Sequence, residues 1–74
     1  MSRMKYINFK NIGIVIFGGH VSHSDMAQLI GDKPVSAGFF NAGDTDYVSC
    51  YGESVSLKLT SDPADTEQLR RILS

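Results

Sequence analysis

The sequence predicts an α+β fold: a small, mostly antiparallel sheet of four to five strands with two helices. Three observations carry that prediction. Two strand-patterned segments, 5–10 and 14–17, are separated by a turn short enough to make a hairpin. Two segments with helix start and stop signals, 24–30 and the stretch from Asp62-Pro63 onward, fall between and after strand segments. The resulting order, ββαβ(β)βα, has hairpins on both sides of a helix, which suits an antiparallel sheet with its helices on one face. A chain of 74 residues is too short for a two-domain enzyme, a TIM barrel or a Rossmann domain, so residues 1–74 are expected to form one domain.

The elements follow in order. In Lys-Tyr-Ile-Asn-Phe-Lys at 5–10, Ile7 and Phe9 face one side while Tyr6, Asn8 and Lys10 face the other, the period of a half-buried strand. Asn11 to Gly13 can turn the chain. Residues 14–17, Ile-Val-Ile-Phe, are continuously apolar, which suits a strand covered on both sides or one half buried in an interface. Gly18-Gly19 ends that strand. Ser22 or Ser24 can cap a helix at 24–30, with Asp25 in its first turn, Gly31 at its C-terminal cap and Met26, Leu29 and Ile30 as its inward stripe. A helix so short holds only when docked.

Asp32-Lys33-Pro34 is a loop. Val35, Ala37 and Phe39 alternate with Ser36, Gly38 and Phe40 as a third strand. Residues 41–46 have the composition of a turn, and Tyr47 to Tyr51 form a fourth strand. After Gly52-Glu53, Ser54 to Thr60 alternates with Val55, Leu57 and Leu59 inward; residues 47–60 read as one bent strand or as a hairpin. Asp62-Pro63 is the strongest helix start in the chain. Asp62 caps, Pro63 takes the first helical position, and Asp65 and Glu67 favour the positive helix end. Leu69, Ile72 and Leu73 form the apolar stripe, with Arg70 and Arg71 near the C-terminal end.

Composition narrows the function classes. Seven Lys and Arg against eight Asp and Glu leave a net charge of -1, without the basic excess that phosphate binding requires, so nucleic acid is not the expected partner. The single cysteine, Cys50, forms no intramolecular disulfide and no cysteine zinc cage, which points to a reducing, cytoplasmic setting. The apolar run from Ile12 to Phe17 is too short for a signal peptide core or a membrane span. A chain this small buries a modest core, so a second copy or a protein partner is expected to add to it.

Four groups of residues are candidates for chemistry. His20, His23 and Asp25 could ligate a divalent metal, with Asp44, Asp46 or Cys50 completing the set; the plainer reading is a polar loop entering a helix. Gly18-Gly19 before a helix could hold an anion, but it lacks both glycine-rich phosphate motifs and more simply lets the chain turn. Cys50 would need His20 or His23 beside it to act as a nucleophile, and its alternation with Val48 places it in the core instead. Asp25 to Gly31 resembles the first helix and turn of a helix-turn-helix motif, through Ala27 and Gly31. The second helix would cover 33–41, where Gly38 and the β-type residues argue for strand.

Val35 to Phe39 and Cys50 to Leu57 resemble stretches of small bacterial proteins of unassigned function, some in phage-like genomic settings. The resemblance implies a bacterial or phage-derived setting and no activity, cofactor or catalytic residue. The expectation is therefore a non-enzymatic protein-interaction module, homodimeric or bound to a protein partner, without a cofactor. Its contact residues are Phe40, Tyr47 and Tyr51, which the alternation sets opposite an inward Phe39, Val48 and Cys50. The alternatives are a small metal- or ligand-binding protein using His20, His23 and Asp25, and a DNA-binding regulator acting through residues 25–40.

Overall fold

The computed structural model describes residues 3–41 and 48–73. The elements are β1 (Met4–Phe9), β2 (Gly13–Phe17), α1 (His23–Ile30), β3 (Pro34–Asn41), β4 (Ser49–Tyr51), β5 (Glu53–Ser54), β6 (Leu59–Thr60) and α2 (Pro63–Leu73). This is the expected α+β class. Strands β2-β1-β3-β4 form one antiparallel sheet in that order, and β5-β6 form a small second one. Because β2 and β3 both pair antiparallel with β1, they run parallel to each other, and α1 carries the chain across β1. The turn expected at 41–46 and the Tyr47 start of β4 lie, apart from Asn41, outside the described residues.

The helices cover opposite faces of the sheet rather than one. On one face, Leu69 and Leu73 of α2 pack with Tyr6, Phe40, Val48, Ile14 and Cys50. On the other, Met26, Ala27 and Ile30 of α1, with Leu57 and Leu59 of the small hairpin, pack on Ile7, Phe9, Phe17 and Ala37. The physical reason is that, apart from Lys5 near the start of β1, β1 and β3 carry apolar or neutral side chains on both of their faces. A sheet buried on both sides needs cover on both sides. No helix among the described residues is long and apolar enough to cross a membrane.

Local chemistry explains the ends of each element. Ser22 caps α1 by accepting the Asp25 amide, and Gly31 ends it in the left-handed region, at φ 79°, where only glycine enters without strain. A Cβ on Gly19 would collide with the Arg3 carbonyl, so that glycine lets the β2–α1 connection run against the start of β1. The β1–β2 turn is held from a distance: Asp32 accepts the Asn11 and Ile12 amides at 3.0 and 2.9 Å and the Asn11 side chain at 2.8 Å. Those bonds, the Ile12 amide foremost, pull its carboxyl down to about 2.

Three inward assignments need correction. Ile72 of the α2 stripe is 56% exposed, and Leu69 and Leu73 are the members of that stripe that pack on the sheet. Leu29 points to solvent, 78% exposed, and only Met26 and Ile30 of its stripe reach the core. Val55 is 80% exposed rather than inward. The segment 55–58 is a turn: the Lys58 amide donates to the Val55 carbonyl at 3.3 Å, Lys58 takes φ 57°, and the Ser54 hydroxyl accepts the Leu57 amide. A serine hydroxyl that holds an amide three residues on competes with the strand ladder, so the 54–60 alternation breaks into a tight hairpin.

Candidate functional site

An open cleft of about 480 Å³ lies on the α1 face of the sheet. Its floor is the stacked pair Phe39 and Tyr51, ring centroids 6.0 Å apart, side by side because β3 and β4 place them in direct register. The start of α1, Ser22 and His23, makes one wall, and the 52–56 segment makes the other. Arg3 lays its guanidinium over the Phe39 ring, 5.1 Å from the centroid. Lys5 lines the same cleft and donates to the Val21 carbonyl at 2.8 Å. Glu53 is the lining acid, and the exposed Val55 is part of the same lining. Aromatic floor, two cations and an apolar residue at the edge are the elements of a recognition site for an apolar group beside a negative charge.

His23, in the wall of the cleft, braces its floor. It is buried, its ring standing edge-on to Phe17 and Phe39 at 5.6 and 5.7 Å, and its Nε2–H donates to the Gly38 carbonyl at 2.9 Å. Burial, helped by the Lys5 charge and opposed by the Gly38 bond, lowers its pKa from 6.5. With its ring turned into the core, His23 does not converge with the exposed His20 and Asp25. Among the described residues no group of three or more His, Cys, Asp or Glu could hold a metal ion. Asp44 and Asp46 lie outside the described residues.

The face assignment of the aromatic residues is also corrected. Phe40 pairs with Cys50, shares its face with Val48, and is buried beneath α2 at 3% exposure. Phe39 takes the open position beside Tyr51. Tyr47 lies outside the described residues. Alternation along the sequence does not determine facing across separate strands; the pairing of Phe39 with Tyr51 does. Cys50 packs on the α2 face, where burial pushes its thiol up, and the sheet separates it from His23. Residues 34–41 form β3, so no second helix follows α1 in the manner of a helix-turn-helix.

On the α2 face lies a polar cluster that sequence patterning did not anticipate. Asp65 is 2% exposed, and no ion pair to it is formed among the described residues. It accepts the Tyr6 hydroxyl at 2.6 Å, the Asn8 amide at 3.0 Å and the Asp62 backbone amide at 3.1 Å. Burial raises its pKa, but these bonds and one from Ser36 outweigh burial and leave the carboxyl below its ordinary value. Burial and the Asp65 bond push the Tyr6 hydroxyl strongly upward. No buried side-chain N or O atom among the described residues lacks a partner, which marks the cluster as a clamp of α2 onto β1 rather than a vacant site. A signal was present: Asp62-Pro-Ala-Asp65 is a capping box, with the Asp62 side chain accepting the Ala64 amide and Asp65 reaching back to the Asp62 amide.

Comparison with protein-family models, with curated proteins and with solved structures finds no match to this chain.

Proposed function

We propose that this chain is a small non-enzymatic protein-interaction module, and that its docking site is the Phe39–Tyr51 cleft. The observation that supports this reading is a stacked aromatic pair half open to solvent at the base of a cleft lined by Arg3 and Lys5. A folded domain of this size uses its aromatic rings for the core; two kept at a surface beside cations favour a partner that brings an apolar side chain and a carboxylate. The partner is a short protein segment in which an aromatic or apolar residue adjoins an acidic one. The cytoplasm is the proposed setting, on the strength of the lone cysteine.

The test is selection of binders from a displayed peptide library against the full chain, followed by titration calorimetry. Selected peptides should pair an apolar residue with Asp or Glu. Arg3→Glu and Tyr51→Ala should each weaken binding at least about tenfold, the scale of a modest interface anchor. Selection of no peptide, or of peptides indifferent to both variants, overturns the reading.

A further inference from the structure

We infer that β2 is a self-pairing edge, and that two copies of this chain join their sheets antiparallel about a two-fold axis at Val15. The two edges of the sheet are treated differently. The β4 edge is short and closed from outside: the Cys50 amide donates to the Thr66 hydroxyl at 2.9 Å and Arg70 reaches the Val48 carbonyl at 3.4 Å. The β2 edge pairs only with β1, on its inner side. Among the described residues no further backbone or side-chain hydrogen bond reaches 14–17. Gly13–Phe17 is five residues long, with no proline, no lysine and no charge of either sign, the devices that ordinarily keep an edge from pairing.

The occupant follows from the symmetry of the segment. An axis through Val15 sets Ile14 of one copy opposite Ile16 of the other, and Gly13 opposite Phe17. Beyond them Ile12 meets Gly18, so no like charges face each other and the large residues meet small ones at both ends. The axis stands perpendicular to the sheet, so each copy keeps its α2 face on the same side. The apolar groups left exposed there, Ile16 at 41% and Ile72 at 56%, then fall along the join. Ile72 lies one turn beyond Gln68, whose side-chain amide would be 3.7 Å from a Cβ placed on Gly13 at the start of β2. A net charge of -1 adds little repulsion between copies. The molecule measures 31 × 28 × 17 Å, so one flank offers less than the roughly 800 Å² per partner of a standard interface, and association in the micromolar range is expected.

Sedimentation velocity of the full chain over a wide concentration series tests the inference, read beside hydrogen exchange of the 14–16 amides. The expected result is a monomer–dimer equilibrium, with slower exchange at 14–16 as dimer forms. Ile16→Lys should weaken association at least about tenfold and leave the melting temperature of the dilute monomer unchanged, whereas Val35→Lys, at an exposed site off the edge, should do neither. A monomer at the highest concentration, or a dimer that Ile16→Lys leaves intact, overturns it. Ile16 lies on the opposite sheet face from the cleft, so the dimer and the peptide site fail separately.

Discussion

Replacing Tyr6 by phenylalanine isolates one bond of the buried clamp. The ring stays in its packing place between Phe40 and Leu69 and only the hydroxyl is lost. That hydroxyl donates to a carboxylate at 2.6 Å inside a site where neither residue reaches solvent. A buried hydrogen bond to a charged group contributes about 1.5–3 kcal/mol, and the Asp65 carboxylate keeps its other donors, so about 2 kcal/mol is expected. A domain of this length is stable by roughly 4–11 kcal/mol, so the loss is a large share and lowers Tm by about 8–16 °C. Urea denaturation supplies the free energy. The pH supplies a second readout. The folded-state value of Asp65 lies below 3.8, so its contribution is fully present above that pH and is lost as the pH falls through the folded value. The difference between wild type and Tyr6→Phe should therefore hold from neutral pH down to 3.8 and narrow below it. A change under about 0.5 kcal/mol at neutral pH, or one independent of pH, would refute the assignment of the clamp.

His23→Gln should flatten the stability profile below pH 6.5. The wild-type imidazole has its pKa lowered, so the unfolded chain takes up the proton first and the fold loses up to about 1.4 kcal/mol per pH unit until His23 itself titrates; a wild-type profile level from neutral to mildly acid pH would contradict its burial as a neutral ring. Asp32→Ala should speed hydrogen exchange at Asn11 and Ile12. In the wild type that protection is present above 3.8 and lost as the pH falls through about 2, because the carboxyl is held below its ordinary value. Leu69→Ala, at a fully buried site, should cost about 2–5 kcal/mol by denaturant titration, while Leu29→Ser and Val55→Thr should each stay within about 0.5 kcal/mol.

Much of the fold was legible in the sequence because its signals are local. The Ile7/Phe9 alternation, the Ser22 and Gly31 caps and the Asp62-Pro63 start each act within a turn or two of chain, so residue type and spacing determine them. The α+β class, both helices and the β1–β2 hairpin follow from these alone. The tertiary structure decided the rest. Which face of β3 stays open depends on the pairing of Phe39 with Tyr51, a contact across 12 residues of chain that no spacing rule carries. Whether Asp65 is a solvated first-turn acid or a buried clamp depends on Tyr6, Asn8 and Ser36 arriving from two strands. Likewise, His23 became a brace because Gly38 offered its carbonyl. A side chain's type states what it can bond; only the pairing of distant strands determines what it meets, and so whether a polar group serves the core or a surface.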